Sequence, residues 1–273
     1  SAENDSISET YRKMISHTQY MKEFTITAEM MEDANYGVAG DAKRRAENFT
    51  RAYYKTMNKI CEKALANGTT ASFVFNKADV DTSTYDGLPL FHKAHKYMSI
   101  NMKDKGTQAN RFCCDGITAD AASLESALNI LANKMLQMTD ENGEPLGYVA
   151  DTIIVPGNQP KLLALVKKVC GSERSAGTNY NDINVQYGNW NITQLLNWNT
   201  DVPAIMIMSS AANKNLTGNV FFNRVPLSIS NWVDHHTGNF IWNGRCRFGV
   251  GFGTYKHILL AEDSDDTDNC EAF

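Results

Sequence analysis

The sequence predicts an α+β fold for this chain of 273 residues. Three observations lead to this prediction. Long segments repeat apolar residues every three or four positions, as amphipathic helices do. Shorter segments alternate apolar and polar residues, as half-buried strands do. These strands precede and follow the helices without regular βαβ alternation, which favours an α+β arrangement over a parallel α/β sheet.

The longest helical pattern covers residues 38–65. About 28 residues at 1.5 Å per residue give a helix of roughly 40 Å, long enough to cross a whole domain. Asn67 and Gly68 end it, because both tolerate the left-handed conformation of a helix C-cap. Basic residues lie largely opposite an apolar stripe, which comprises Val38, Ala42, Ala46, Phe49, Tyr53, Met57, Ile60 and Ala64. We expect this stripe to lie in the core.

Two further helices are predicted at residues 119–138 and 159–169. Strands are predicted at FTITAEM, where Phe24 and Ile26 alternate with threonines, and at ASFVFN, DTIIVP and AIMIMSS. A late set of strands follows in VPLSIS, NFIWN, RCRFGVGFG and KHILLAE. Residues 1–20 are polar and lack a core pattern, so we expect an extended arm that contributes little to the stability of the body.

Charge excludes some classes of partner. The formal net charge is −5, and residues 262–271, EDSDDTDNCE, contain six acids and no base, so the rest of the chain is near +1. This composition lacks the basic footprint of a nucleic-acid-binding protein. We expect the acidic segment to be a solvated, mobile tail. No apolar run reaches the roughly 18 residues that a membrane-spanning helix needs, so no membrane partner is expected.

The six cysteines form no C-x-x-C pair. In a chain of this length they indicate reduced thiols from a protein made in a cytosol, and not a disulfide framework. The cysteines are Cys61, Cys113, Cys114, Cys170, Cys246 and Cys270.

Two pairs of histidines are candidates for a metal site. His92 and His95 are three residues apart in YDGLPLFHKAHKYM, a spacing that could present two ligands from one helix. Gly87 and Pro89 disfavour a helix there, and no third ligand is in register. His235 and His236 are adjacent in the turn DHHTGN, and neighbouring side chains on a strand point to opposite faces. We therefore expect no metal at either pair.

Other chemistry also finds no site in the sequence. There is no G-x-S-x-G elbow and no cysteine in a catalytic signature. Gly249, Gly251 and Gly253 alternate with apolar residues, which indicates a bent strand and not a phosphate cradle. We predict no catalytic residue, no cofactor and no metal. This absence in a chain of this size favours an architectural role.

Three segments in order resemble the major head subunit of tailed phages, in particular the Mu-like prophage group. The first, an "iT-x-E-M-x-x-D" pattern, occupies residues 26–33 before the long helix. The second, "D-G-x-x-L-F-x-x-x-H", occupies residues 86–95 after it. The third, an "ivvP" strand followed by a short helix, begins with Ile153-Ile154-Val155-Pro156. The resemblance covers nearly the whole chain.

This resemblance implies the Hong Kong 97-like capsid fold and a domain map. Residues 1–35 would form the N-terminal arm and extended hairpin loop. Residues 36–139 would form the peripheral domain, with a spine helix at 38–65, and residues 140–222 the axial domain. Residues 223–273 would provide return strands of the peripheral domain and the acidic tail. Some relatives cross-link through a lysine on the hairpin; Lys13 and Lys22 are available, but no partner residue can be assigned.

The implied function is that of a major capsid protein, which is not an enzyme. Such a subunit assembles with itself into hexamers and pentamers of an icosahedral head that encloses double-stranded DNA. Further implied partners are a portal and scaffolding or decoration proteins, and DNA would be contacted without sequence specificity. The protein would be made in the bacterial cytoplasm and reside in the virion. Two alternatives remain: an encapsulin-like shell protein, and a metal-dependent hydrolase built on His92, His95, His235 or His236.

Overall fold

A computed structural model describes residues 12–33, 38–97, 106–173, 184–264 and 268–272. The helices are α1 (Ala28–Asp33), α2 (Val38–Ala66), α3 (Ala121–Leu136), α4 (Pro160–Gly171) and α5 (Ser210–Asn215). The strands are β1 (Thr18–Ile26), β2 (Ser72–Phe75), β3 (Ala78–Asp81), β4 (His95–Lys96), β5 (Thr107–Gln108), β6 (Arg111–Cys114), β7 (Thr152–Pro156), β8 (Asn191–Leu195), β9 (Ala204–Met208), β10 (Asn219–Val233), β11 (Phe240–Phe252), β12 (Ile258–Asp263) and β13 (Glu271–Ala272). None of the described helices is long and apolar enough to cross a membrane.

A three-stranded antiparallel sheet has the order β1-β11-β10, so β11 is its central strand. All nine residues of β1 pair with β11, from Thr18 opposite Phe248 to Ile26 opposite Phe240. On the other side, β10 and β11 form a long hairpin. Its register shifts between Asn223 and Ser228. This interval contains Pro226, which has no N–H to donate to the ladder.

A six-stranded mixed sheet has the order β13-β6-β12-β9-β7-β8. Its three central strands bury both faces, so their apolar runs divide between two cores with a period of two. One core contains α3 and α4 together with alternate residues such as Ile153, Ile205 and Leu259. The other contains α2 and β11 together with the intervening residues, such as Ile154 and Met206.

The predicted long helix is confirmed: α2 begins at Val38, as predicted, and ends at Ala66, one residue beyond the predicted end. Its buried side chains toward the three-stranded sheet are Tyr53, Ile60 and Ala64. Phe49 is only half buried, although it lies in the predicted stripe. Its ring packs directly over Gly244 of β11, where a Cβ atom would overlap it. The side chains of Val38, Ala42 and Ala46 lie outside the described residues.

The structure describes only part of the predicted arm and hairpin. The first eleven residues and residues 34–37 lie outside the described part of the chain. Within residues 12–33, one strand and one short helix form, and β1 pairs with the distant β11 and not with a neighbouring strand. Residues 18–20 therefore belong to the sheet, so the expectation of an arm outside the core was wrong for these three residues. The ring of Tyr20 stacks on Phe248, with centroids 4.6 Å apart.

The acidic tail and the cysteines also correct the sequence-based expectations. Cys270 forms a disulfide with Cys113, whose Cα atom is 5.4 Å from its own. Residues 271–272 form β13, which pairs in parallel with β6. Arg111 of β6 donates to Glu262 over 2.7 Å. The described part of the acidic segment is thus attached to the body. Its attachments are the disulfide to Cys113, the pairing of β13 with β6 and the bond from Arg111.

The sheets do not follow the boundaries of the predicted domain map. The six-stranded sheet takes β6 from the segment assigned to the peripheral domain and β7, β8 and β9 from the axial segment. It takes β12 and β13 from the segment assigned to return strands and tail. Helix α3, which the map placed with α2, packs against α4 instead. A boundary drawn along the sequence cannot represent this exchange of strands.

The Tyr20→Ala substitution tests whether the start of β1 belongs to the core. Removing an aromatic ring that stacks on Phe248 and lies edge-on to Phe75 should lower the free energy of unfolding by about 2–4 kcal/mol. Urea denaturation of the unassembled chain measures it. Exposed Lys22 on the same strand provides the control, because Lys22→Ala should change the value by less than about 0.5 kcal/mol. Equal effects would show that the strand start is not packed.

A second variant, Cys270→Ser, tests the disulfide. It should lower the free energy of unfolding by about 2–4 kcal/mol, because the bond constrains the unfolded chain across 157 residues. Reductant should destabilise the wild type by a similar amount and leave Cys270→Ser unchanged. The free cysteine Cys61 supplies the control: Cys61→Ser should keep the full response to reductant. A wild-type chain with no response would show that the bond does not form.

Candidate functional site

The segment after α2 that contains the histidine pair forms a tight turn and then a buried polar cluster. The N–H of Thr84 donates to the carbonyl of Leu88 over 2.8 Å, and the N–H of Gly87 donates back to the carbonyl of Thr84. Gly87 has a φ of 79°, a left-handed conformation that disfavours residues with a side chain. The N–H of Leu88 donates to Asp86 Oδ1 over 3.1 Å, which fixes the carboxylate toward the interior.

Asp86, His95 and Asn110 are joined by hydrogen bonds in this interior. His95 Nδ1 lies 2.7 Å from Asp86 Oδ2, and both side chains are fully buried. His95 Nε2 lies 3.2 Å from Asn110 Oδ1. This oxygen also accepts the backbone N–H of His92, while the amide nitrogen of Asn110 donates to the carbonyl of Leu90 over 2.7 Å. Because Asn110 Oδ1 can only accept, both ring nitrogens of His95 donate, and the ring is an imidazolium paired with Asp86.

The pKa values of Asp86 and His92, the two neighbours of His95, are both lowered by their surroundings. Burial raises the pKa of Asp86, but hydrogen bonds and the charge of His95 outweigh it, so the pKa lies below the ordinary value of 3.8. Burial and the nearby charge of His95 lower the pKa of His92. The His95 ring also stacks on Tyr255, with centroids 3.7 Å apart. The His95 ring is thus held by Tyr255 on one face and by hydrogen bonds at its edge.

A second buried ion pair lies beside the first. Lys256 Nζ donates to Glu141 Oε1 over 2.6 Å, and the lysine side chain is only 6% exposed. The hydroxyl of Tyr85 donates to the same oxygen over 2.5 Å. Burial and the neighbouring Tyr255 raise the pKa of Tyr85, so it stays a neutral donor. The two pairs connect the turn at residue 85, the loop at residue 141 and the chain before β12.

These contacts show what the predicted histidine pair does. The rings of His92 and His95 are 5.8 Å apart and inclined by 73°. His92 Nδ1 accepts the N–H of Ala94, and both nitrogens of His95 are already bound to neighbours. Among the described residues there is no group of three or more His, Cys, Asp or Glu side chains placed to hold a metal. The cluster is chemically suited to hold three chain segments together.

The other candidate residues are dispersed. His235 and His236 are exposed in the turn between β10 and β11, where Asp234 accepts the N–H of His236 over 3.1 Å. Lys22 is exposed on β1. Lys13 is instead an ion-pair partner, 2.5 Å from Asp81 Oδ2. The structure does not bring these residues together. The sequence analysis did not single out His257, which directly precedes β12 and is fully buried. Burial lowers the pKa of His257 to about 3.

The glycines of β11 have a packing role. A Cβ atom at Gly249 would meet the carbonyl oxygen of Ser16, and one at Gly251 would meet the side chain of Ile15. The segment before β1 therefore crosses directly over the backbone of β11. Gly253 similarly lies against the carbonyl of Thr217. The alternating glycines permit close approach of chain segments, which is a common reason for glycine in strands.

The hairpin of β10 and β11 forms the most unusual surface. Beyond residue 228, every side chain of β10 is exposed, on both faces of the strand. The outer edge of β10 pairs with no other strand among the described residues. Three large apolar side chains lie on this outer half and are more than 40% exposed: Ile229, Trp232 and Val233. In the sequence, this apolar surface is indicated by the pair Trp232-Val233 directly before a turn. A monomeric protein usually carries polar residues at such a position.

Comparison with known proteins agrees with this architecture. A family model described as "Phage capsid protein" matches residues 10–260. A comparison with curated protein sequences finds no match. Among solved structures, a chain of Mycobacterium phage Patience is 14% identical with a TM-score of 0.52, covering 97% of this chain and 77% of that one. The mature capsid of bacteriophage PhiM1 is 9% identical, with a TM-score of 0.49 and coverage of 96% and 79%.

An encapsulin is also similar in structure. The SrpI encapsulin of Synechococcus elongatus PCC 7942 is 8% identical, with a TM-score of 0.48 and coverage of 92% of this chain and 75% of that chain. The match to the family model covers far more than half of the sequence, so the chain belongs to the phage capsid protein family. The predicted α+β class and Hong Kong 97-like fold are confirmed.

The Asp86→Asn substitution tests the buried ion pair. It should lower the free energy of unfolding by about 3–5 kcal/mol at pH 7, because it leaves the buried imidazolium of His95 without its counter-charge. The pKa of Asp86 is depressed in the folded chain, so its contribution is present above the unfolded value near 3.8 and is lost as pH falls through the folded pKa.

The stability difference between wild type and Asp86→Asn should therefore shrink below about pH 4, as measured by urea denaturation at several pH values. The exposed Asp201 supplies a control with the same change of charge. Asp201→Asn should stay within about 0.5 kcal/mol of wild type throughout. A difference for Asp86→Asn that is small at pH 7 would show that the pair is not a structural tie.

Proposed function

We propose that this protein is the repeating subunit of a tailed-phage head, forming hexamers and pentamers of an icosahedral shell around double-stranded DNA. Membership of the phage capsid protein family supports the class of function. The observation that carries self-assembly is the outer half of the β10–β11 hairpin. It presents apolar side chains on two faces and a strand edge that pairs with no strand in the described ranges.

A hairpin of this kind is unfavourable in an isolated chain. An exposed apolar edge strand offers unpaired N–H and C=O groups to other chains, and monomeric proteins usually protect such edges with charge. In β10 the last five residues, Ile229 to Val233, carry no charge. Contact with a second copy buries the apolar surface and supplies partners for the edge. This reasoning favours a subunit whose stable form is an assembly.

The proposed role is architectural, without a catalytic, cofactor-binding or metal-binding residue. The support is that the charged groups of the buried polar cluster are paired with each other or with the Tyr85 hydroxyl. Asp86 binds His95, and Glu141 binds both Lys256 and Tyr85. In a shell, these pairs would hold the subunit rigid while its surfaces bear the contacts between copies.

The structure also suggests a revised domain map. We assign the three-stranded sheet and α2 to the peripheral domain, since they share one core. We assign the six-stranded sheet with α3 and α4 to the axial domain, whose loops would meet at the centres of hexamers and pentamers. The described part of the segment proposed as an extended hairpin loop would instead act as an edge strand of the peripheral domain.

Further partners follow from this function. A head of this kind needs a portal and can use scaffolding or decoration proteins, and its subunits are made in the bacterial cytoplasm before they reside in the virion. Kinship with the Mu-like prophage group belongs to the same proposal; its support is the order of the three segments at residues 26–33, 86–95 and 153–156.

Paired lysine substitutions test the proposed assembly surface. The full chain should form shells or capsomers visible by negative-stain microscopy and light scattering. Ile229→Lys with Trp232→Lys should reduce assembled material at least about tenfold, because like charges would then face each other across an apolar contact. Both residues are exposed, so the melting temperature of the unassembled chain should change by no more than about 2 °C.

The matched control places two lysines on the exposed side of α3, as Ala122→Lys with Ser126→Lys. This control should assemble like the wild type. Equal loss in both variants would show that added charge, and not the hairpin, prevents assembly. A wild-type chain that stays monomeric at high micromolar concentration in several salts would contradict the proposed function itself.

A further inference from the structure

A cavity lies between α2 and the three-stranded sheet, and it is open to the surface. Its volume is about 180 Å³. Most of its lining is apolar, and its walls include Phe49, Ala52, Tyr53, Gly244, Cys246 and Phe248. We call this cavity the α2 pocket. Because a dry apolar cavity of roughly 150 Å³ is large enough to bind benzene, the α2 pocket has room for an aromatic ring.

The polar groups of the α2 pocket favour a ligand that is apolar except for one donor. The hydroxyl of Thr56 donates to the carbonyl of Ala52 over 2.8 Å, and the hydroxyl of Tyr53 accepts from Asn223 over 3.3 Å. Asn76 also lines the pocket. It is exposed, and its side chain has no hydrogen-bond partner among the described residues. Its amide oxygen can therefore accept one N–H at the opening.

The side chain of Trp232, near the end of β10, has the chemistry that the α2 pocket favours. An indole is a large apolar ring system with a single N–H donor. The side chain of Trp232 is 44% exposed, and it contacts no other aromatic ring in the described part of the chain. By contrast, the exposed rings of Tyr54 and Phe222 contact the rings of Tyr53 and His17.

The register of the sheet separates Trp232 from the pocket of its own chain. Trp232 pairs with Ile241, whereas Gly244, in the wall of the pocket, is three residues further along β11. Alternate residues of a strand face opposite sides, so Trp232 lies on the sheet face away from α2. A copy therefore cannot fill its own pocket with this ring. A contact between Trp232 and the pocket of a second copy joins two different surfaces, and repeated contacts of that kind can close into a ring of subunits.

The charges beside the two surfaces are complementary. Asp234, directly after β10, carries the only formal charge within residues 229–240 when histidine is neutral. The exposed Lys22 lines the α2 pocket, and in the described ranges no carboxylate lies within 4.0 Å of its amino group. The side chain of the adjacent Glu23 lies on the other face of the sheet. A hairpin tip that enters the pocket therefore brings a carboxylate towards a lysine that lacks one.

We propose that the α2 pocket receives the Trp232 ring of a second copy of this chain, and that this contact joins neighbouring subunits head to tail. The inference rests on the function proposed above and names the surface that the β10–β11 hairpin contacts. In this contact the indole N–H donates to Asn76. Ile229 pairs with Gly244 and lies on the same face as the pocket, so Ile229 of the receiving copy lies beside the entering ring.

Two single variants test the two sides of the contact. Trp232→Ala removes the ring, and Ala52→Phe fills the pocket with a ring of its own. Each variant should reduce assembled material at least about tenfold by light scattering, since buried tryptophan anchors often dominate an interface. The control is Tyr54→Ala, which removes a 59% exposed ring of α2 that does not line the pocket. It should assemble like the wild type.

A mixture of the two variants distinguishes a head-to-tail contact from a symmetric one. The Ala52→Phe copy keeps Trp232, and the Trp232→Ala copy keeps an open pocket, so one contact can form between them. The next contact would need the missing ring and the filled pocket. Equal amounts should therefore give dimers and no larger species by analytical ultracentrifugation at high micromolar concentration. A mixture in which both chains stay as they are alone would overturn the proposal.

Free indole tests the pocket without a filled-cavity variant. At millimolar concentration it should raise the melting temperature of the unassembled wild type by at least about 1 °C, because it binds the folded chain only. It should leave the melting temperature of Ala52→Phe unchanged and should reduce assembly of the wild type. Absence of any shift in the wild type would show that the pocket does not accept an indole. This measurement also decides the proposal if Ala52→Phe proves destabilised.

Failure of this contact can be distinguished from failure of the proposed function. If Trp232→Ala forms shells as abundantly as the wild type, the contact is wrong and the shell function stands. The same holds if Trp232→Ala and Tyr54→Ala lose assembly equally. If indole binds while loss of Trp232 has no effect, the occupant of the pocket is another molecule and the proposal is wrong. A wild-type chain that stays monomeric contradicts both.

Discussion

The central position of β11 is the constraint on which the rest of this subunit depends. This strand pairs with β1 on one side and β10 on the other, so segments more than two hundred residues apart become neighbours. Helix α2 lies on its face, with the ring of Phe49 over Gly244. A one-residue change in the register of β11 would move its side chains to the opposite face, away from α2.

Periodicity predicted most of the regular elements because the forces that set them are local. Burial of one face of α2 produces an apolar stripe, and burial of both faces of β7 produces an apolar run. Both patterns can be recognised in the sequence without knowledge of distant partners. Helix α3 begins at Ala121, two residues later than predicted, because the side chain of Asp120 caps it by accepting the N–H of Ser123. Strands β6 and β8 were missed, because their apolar character is provided by neighbours distant in the sequence.

The candidate sites were predictable only as far as their chemistry is local. The spacing of His92 and His95 left two interpretations, a metal site or no ligand. The observed hydrogen-bond partner of His95, Asn110, lies fifteen residues further along the chain and could not be assigned from this spacing. The disulfide between Cys113 and Cys270 was missed for the same reason, since its two residues meet only after β6 and β13 pair. Long-range pairing of polar groups therefore lies beyond what composition and spacing can predict.

The contacts over Gly249 and Gly251 have a consequence for how variation in this protein should be interpreted. No side chain fits at either position while residues 15 and 16 cross above, whereas the neighbouring Phe248 and Val250 need only apolar bulk. In a library of functional variants, the glycines would persist while the flanking residues exchange among themselves. Such a pattern would mimic the signature of a nucleotide-binding loop, although its cause is the passage of one chain segment over another.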